Sequence, residues 1–396
     1  MSNTPLRATQ AFKAPALAGL GAALLFGTGA VMIAVLGDPS GHPPVARQVL
    51  APIPAPPQEV VQTAEVRRPV EFTEPDTDIE PSLSGVPETF EATAPGQGSD
   101  PAQAEAEHAR QSNPDALVAA PLTGLTTPGP SGPLPAIGPD GTRPDQAYAR
   151  PWQGDPNSPM IAVVIGGMGL NRAVTESAID DLPPEIALSF APYSRDLQSW
   201  IDRARAAGHE VLVEVPMEPF DYPNNDPGPH TLLADAPNSE NSRRLYWLMS
   251  QATGYFAMTN YLGARFSTSE PALGHLMATL EERGVSFLHD GTGRRSTIEA
   301  AGGNAGASWG IADRVLDEDP SPSAVDDRLL TLEALALQHG ASVGAGFAYR
   351  STVDQVGRWA EGLEARGYAL APPSAVMARQ QAERSGGPAQ SASFDH

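Results

Sequence analysis

The part of the chain after about Met160 reads as an α/β fold built on a parallel sheet, and three observations predict it. Ile161–Gly169 runs Ile-Ala-Val-Val-Ile-Gly-Gly-Met-Gly, five apolar and mostly β-branched residues followed by glycines. That run is too short for a helix and lacks the alternation of a half-wet strand, so it fits a strand covered on both faces. Strand-like and helix-like segments then alternate to about Ala371. Leu197, Trp200, Ile201 and Ala204 fall at i, i+3, i+4 and i+7, one apolar helical stripe. Repeated β–α units of this length imply right-handed parallel connections, in an open sheet or a barrel. In either form, ligand-handling groups gather past the carboxyl ends of the strands.

Taken in order, the strand Ile161–Ile165 leads to a helix near Ala173–Asp180 and a strand at Ile186–Phe190. The striped helix stops at Gly208, and Val211–Val215 is the next strand. A long loop from Pro216 to Leu233 precedes a helix at about Asn241–Ala252 and an extended Tyr255–Met258. Leu273, Leu276, Met277 and Leu280 mark another helix, with Pro271 suited to its first turn. Val285–Leu288 is a strand, and Ala300–Gly306 is a glycine-rich soft patch. A helix over about Val325–Gln338 leads to the strand Ala341–Gly346. Thr352-Val-Asp-Gln355 fits a capping box, and Tyr368–Ala371 closes the body.

The flanks differ. Of the 41 prolines, 24 lie between Asp38 and Pro159, a density that disfavours regular structure, so residues 38–159 are expected to be a disordered acidic tether. Before it, Ala14–Gly37 is an uncharged apolar run of 24 residues preceded by Arg7 and Lys13. At ~1.5 Å per residue this spans a ~30 Å hydrocarbon core. The charge asymmetry predicts an inner-membrane anchor at 14–37, with residues 1–13 cytoplasmic and the body in the periplasm. A cleaved signal peptide is the rival, although its apolar region usually has only ~7–15 residues. The body is taken as 160–378, and 379–396 is expected to be a disordered tail.

Composition removes several functions. A net charge of −22 disfavours nucleic acid, whose phosphates need clustered cations. Lysine occurs only at Lys13 and cysteine is absent, so the body has no Schiff-base or P-loop lysine, thiol nucleophile or zinc-thiolate site. Gly167-Met-Gly-Leu-Asn-Arg172 begins like a dinucleotide turn, but Arg172 stands where a third small residue belongs. Gly306-Ala-Ser-Trp-Gly310 matches a nucleophile elbow literally, without the strand before Ser308 and helix after it that an elbow needs. His209, His275 and His339 have no metal-like spacing and are expected at surface or capping positions.

Four phrases carry a resemblance: Gly208-His-Glu-Val-Leu-Val-Glu-Val-Pro-Met-Glu-Pro219, Pro227-Gly-Pro229, Asn260-Tyr-Leu-Gly-Ala-Arg-Phe266 and Gly346-Phe-Ala-Tyr-Arg-Ser-Thr352. In this order and spacing they resemble the divergent polysaccharide deacetylases, distant relatives of the NodB-type enzymes, over about Ile161–Met377. The resemblance implies a distorted parallel β/α barrel and carbohydrate metabolism at the cell envelope. It also implies a divalent metal, held by carboxylates and imidazoles, that activates water against an acetamide. This chain departs at each such position. Gly166-Gly167 replaces an Asp pair, Glu214 and Tyr261 replace histidines, His289 replaces an Asp, and Gly346-Phe347-Ala348 replaces a Gly-His-Pro.

Glycine, tyrosine and phenylalanine offer a hard cation neither charge nor suitable lone pairs, so no metal ligand and no cofactor is assigned. Glu214, His289 and Asp290 remain as candidate catalytic groups. Gly166, Gly167, Glu218, Tyr261 and Phe347 are candidates for a substrate groove, with Tyr193, Tyr222 and Tyr349 able to stack on sugar rings. The first expectation is an anchored domain that binds an envelope glycan without cleaving it. Two others stand beside it. One is an active deacetylase or hydrolase, with a divalent metal such as zinc in a site rebuilt around Glu214 and His289. The other is an envelope scaffold with a protein partner that the sequence does not identify.

Overall fold

The computed structural model describes residues 113–292 and 295–386, with the side chains of 293–296 outside the description. The expected anchor Ala14–Gly37, residues 1–13, the first part of the tether and the last residues of the tail all lie outside the described residues. Among the described residues no helix is long and apolar enough to cross a membrane.

The chain enters through a hairpin, β1 (Thr126–Gly129) and β2 (Gly132–Pro135), and a helical turn, α1 (Pro144–Ala147). The body follows as β3 (Met160–Met168), α2 (Arg172–Asp181), β4 (Ala187–Phe190), α3 (Leu197–Ala207), β5 (Val211–Met217) and α4 (Asn238–Met249). Then come β6 (Ala257–Leu262), α5 (Glu270–Glu282), β7 (Ser286–His289), α6 (Arg295–Ala305), β8 (Trp309–Ile311) and β9 (Arg314–Val315). The last elements are α7 (Pro322–His339), β10 (Ala341–Phe347), α8 (Arg350–Glu361), β11 (Ala369–Leu370) and α9 (Pro373–Arg384).

The large sheet has the order β8-β7-β6-β5-β4-β3-β10-β9, and its pairings are all parallel. Its two end strands, β8 and β9, are separated in sequence only by Ala312-Asp313. Ala312 donates its N–H to His289 O and Asp313 to Val343 O, so one short run links the β7 side to the β10 side. The sheet is therefore curled, as a deacetylase-like β/α barrel requires.

Alternate residues of each strand divide between two buried clusters, because the side-chain period of a strand is two. Ile161, Val163, Ile165, Val211, Val213, Val215 and Phe287 face outward onto the helices. Met160, Ala162, Val164, Leu212, Leu288 and Val343 face inward, into the curl. Small residues such as Ala187, Ala257 and Ala345 suit so tight an interior. Both faces are covered, which is why Ile161–Ile165 shows no polar alternation.

Two expected boundaries shift. Residues 113–159 were expected to be tether, yet they form a strap that packs on the amino-terminal ends of the strands, with Leu125, Leu134 and Tyr148 buried. Arg205 of α3, itself buried, fixes this strap. Its guanidinium donates to Val118 O at 2.8 and 3.1 Å, Tyr148 O at 3.1 Å and Gly254 O at 2.8 Å. Burial draws its pKa down to about 10, yet it still carries its proton at neutral pH. Glu210 adds a second tie, accepting from Arg150 N at 2.8 Å and from Ser374 N at 3.1 Å. Averaged composition hid this, since sparse apolar anchors between prolines suffice when the folded body supplies the other face. The tail expected from 379 likewise begins too early, because α9 runs to Arg384 and buries Val376 and Met377.

His209 also departs from expectation. It is buried, with Nδ1 2.7 Å from Ile186 O and Nε2 3.1 Å from Ile179 O, and burial lowers its pKa.

Candidate functional site

The inward series continues past the packed interior to the carboxyl ends of the strands, where Gly166, Glu214, Thr259, Tyr261 and Phe347 follow in register. Gly167 adopts φ +73°, a conformation that side chains other than glycine rarely take. It also leaves no room for one: a Cβ there would lie 2.5 Å from the Phe347 ring. A Cβ on Gly166 would stand 2.9 Å from Glu214 Oε1. The glycine pair, the phenylalanine and the glutamate thus fit one another, and the phenyl ring fills the space that a side chain at 167 would need.

Glu214 is buried, and its Oε1 accepts the Gly167 N–H at 2.5 Å. Burial pushes its pKa up to about 7, against the opposing pull of that hydrogen bond. Tyr261, half-buried beside it, has its phenol pKa raised, first by burial and then by the Glu214 charge. The Tyr261 and Phe347 rings lie 6.2 Å apart, and Tyr349 follows 5.7 Å from Phe347. Leu170, Tyr193, Phe220 and Tyr349, each on a loop beyond a different strand, remain exposed. Tyr193 packs 5.6 Å from Trp247, on which His230 stacks at 3.6 Å, so the rim of the mouth is largely aromatic. Tyr222 lies in the turn after Pro219.

The other candidates lie elsewhere. His289 continues the outward series of Phe287, which places it on the helix side of the sheet, away from Glu214. It is fully buried, with Nε2 3.0 Å from Ser267 Oγ and Nδ1 accepting the Gly291 N–H at 3.1 Å. Asp290 shapes a turn: its Oδ1 accepts from Thr292 N at 2.8 Å and Thr292 Oγ1 at 2.7 Å, while its own N–H donates to Asn260 Oδ1 at 2.8 Å. Glu218 is buried, takes the Ala234 N–H at 2.7 Å and pairs with Arg265, so it fastens the long loop and does not line a groove. His289 Nδ1 and Asp290 Oδ1 do meet at 3.3 Å, but Glu214 is not brought to them, because adjacent strand positions point to opposite faces.

Asp317, which no sequence pattern marks, supports the mouth. Its Oδ2 accepts from Phe347 N at 2.6 Å and Thr352 Oγ1 at 2.8 Å, and burial raises its pKa. It follows the two-residue strand β9, too short to register as periodicity; a lone acid past an apolar pair was the only signal. Ser308 precedes β8 and follows α6, the reverse of an elbow.

The residues present do not suit the metal that the resemblance implies. Gly166, Gly167 and Phe347 supply no donor, and Glu214 is committed to a backbone N–H in a setting that favours its neutral form. Among the described residues no group of three or more histidine, cysteine, aspartate and glutamate side chains is placed to hold a metal ion.

Because Glu214's folded pKa lies above the ordinary value of 4.5, the native state holds its proton longer than the unfolded chain does. Its effect on stability is then neutral below about pH 4.5, turns unfavourable as pH rises through about 7, and levels off above that. Glu214→Gln keeps an acceptor for Gly167 N–H and removes the charge. The expected gain at pH 8 is about 3 kcal/mol, or roughly 5–10 °C in Tm, with little change at pH 5. Calorimetry at the two pH values checks this, and a lower Tm at pH 8 would mean that Glu214 is held there as a carboxylate.

With the geometry defined, comparison with known proteins places the chain. It belongs to the divergent polysaccharide deacetylase family, whose model matches residues 163–377. The resemblance drawn from the four phrases is thereby borne out. Among solved structures it is similar to the uncharacterized protein ATU2773 of Agrobacterium tumefaciens C58. The two are 38% identical with a TM-score of 0.60, over 62% of this chain and 99% of that one. The uncharacterized protein YibQ of Escherichia coli K12 is 24% identical over 196 residues, which is 49% of this chain and 60% of YibQ. An uncharacterized protein of Haemophilus influenzae is 23% identical over 198 residues, 49% of this chain and 68% of that one. The chain thus aligns with about 60% of the length of YibQ.

Proposed function

We propose that this is a non-catalytic member of its family, an envelope-anchored domain that binds a cell-envelope glycan at the barrel mouth. The observation that carries the reading is the joint fit of Gly167, Phe347 and Glu214. It occupies the centre where a cation and its activated water would otherwise sit, while Tyr193, Tyr261 and Tyr349 offer ring faces around it. Aromatic faces with a polar tip suit sugar rings, whose one side is C–H rich and whose edge is hydroxylated. Anchoring through Ala14–Gly37 and a periplasmic position for the body belong to the same proposal, on the length and charge asymmetry of that run.

Purified protein is expected to be retained saturably on peptidoglycan or on N-acetylated chitooligosaccharides, and to release no acetate when zinc is supplied. Failure to bind any glycan would remove the proposal. Acetate release abolished by Glu214→Ala would instead establish the enzyme reading. The scaffold reading draws on Leu330 and Leu337, both exposed seven residues apart on α7. Crosslinking in cells that captures one dominant protein through that face would favour it.

A further inference from the structure

A cavity of about 710 Å³ lies away from the mouth. It lies at the opposite end of the barrel, between the strap, the first residues of β3 and β7, and α9. Its size falls within the ~300–1,000 Å³ of small-molecule sites. Met160, Phe256 and Met377 form its apolar floor, and Trp152 stands at its wall. The Trp152 indole is fixed, since Nε1–H donates to Leu370 O at 3.3 Å and the ring lies against Gly154.

The charge around this cavity is already spent. Arg143 meets Asp145 at 3.1 Å and Glu281 at 2.8 Å, and Asp145 also accepts from Ser286 Oγ at 3.0 Å. Arg379 pairs with Glu383 at 3.1 Å and donates to Pro156 O at 3.1 Å. What is left for a ligand is neutral. Gln146, Gln153, Gln381 and Ser308 are also among the lining residues; the three glutamines are exposed, and none of the four side chains has a hydrogen bond to protein among the described residues. Amides both donate and accept, as a hydroxyl does, so this set answers a neutral polyhydroxyl molecule better than an ion.

We propose that this cavity is a second binding site, distinct from the mouth, which takes a neutral hydroxyl-rich ligand of one or two sugar rings with one ring face against Trp152. An apolar floor, one fixed indole and several unengaged amides are the parts that such a ligand needs. The site depends on the strap, which supplies Trp152, Gln146 and Gln153, so only a chain that includes residues 113–159 carries it.

The test uses the full chain and two probes, cellobiose and N,N′-diacetylchitobiose, followed by tryptophan fluorescence and by calorimetry. A saturable cellobiose signal is expected, weakened at least tenfold in Trp152→Ala and unchanged in Ser323→Ala, an exposed position on α7 outside both sites. Because Trp152→Ala can loosen the strap, Q381R serves as the second variant. Gln381 is exposed on α9, and an arginine there reaches into the cavity without removing packing. It is expected to abolish binding while leaving the melting temperature unchanged. The proposal is overturned if neither disaccharide binds, if both variants bind as well as the parent, or if glucuronate or glucose 6-phosphate binds more tightly than the neutral probes. Loss of peptidoglycan retention in the mouth variant Tyr349→Ala, with the cellobiose signal intact, would bear on the proposed function and not on this site.

Discussion

Replacing Gly167 with alanine is expected to destabilise the protein by roughly 2–5 kcal/mol, and replacing Phe347 as well is expected to return part of that loss. Two separate costs arise in the single variant. Alanine at φ +73° carries the left-handed penalty, about 1–2 kcal/mol, whatever surrounds it. Its methyl group also meets the Phe347 ring at 2.5 Å, and overpacking of that kind costs about 1–3 kcal/mol. Only the second cost depends on the ring. In a double-mutant cycle with Phe347→Ala, the pair should therefore be about 1–3 kcal/mol less harmful than the sum of its parts. Chemical denaturation of the four proteins measures it. Additive losses would mean that the ring yields freely, and the mouth would then have room for a side chain at 167.

The second large effect concerns the strap. Arg205→Met keeps much of the aliphatic volume but strips Val118 O, Tyr148 O and Gly254 O of their buried donors. Hydrogen bonds to a charged group are worth about 1.5–3 kcal/mol each, and buried carbonyls left unmade add their own cost, so a loss of roughly 3–5 kcal/mol is expected. Glu210 holds the strap at a second point, through Arg150 N. The variant should accordingly remain folded in its barrel while residues 113–159 become sensitive to protease. An unchanged cleavage pattern together with a loss below about 1 kcal/mol would show that the strap is held by its apolar contacts alone.

Much of the body was legible because covered parallel strands are dense in β-branched residues and their helices carry one-sided stripes. Ile161–Ile165 lies within β3, Val211–Val215 within β5, and the stripe of Leu197, Trp200, Ile201 and Ala204 is the buried face of α3. What escaped notice was held by contacts distant in sequence. The strap depends on Arg205 and Glu210, both far along the chain. The soft patch Ala300–Gly306 lies largely within α6, where packing overrides the weak helix propensity of Gly302-Gly303.

The candidate site was legible only position by position. Each position at which the resemblance implies a metal ligand could be read as departing from it, and the strand carrying Glu214 could be placed. Which face a strand-end residue takes depends on register and on the irregularity between Ile165 and Met168, neither of which a sequence displays. That is why Glu214 and His289 look like partners in sequence and stand on opposite faces of the sheet. The mutual fit of Gly167 with Phe347, seen only in three dimensions, also explains why these two residues belong together. Restoring an aspartate at 166 or 167 alone would drive it into Glu214 or the phenyl ring.

The most direct test of the account is equilibrium dialysis of the chelator-treated protein against zinc, with the bound metal counted per chain. No stoichiometric uptake is expected, and the same outcome is expected for Glu214→Gln. One zinc per chain, lost in Glu214→Gln, would contradict it and return the barrel mouth to catalysis.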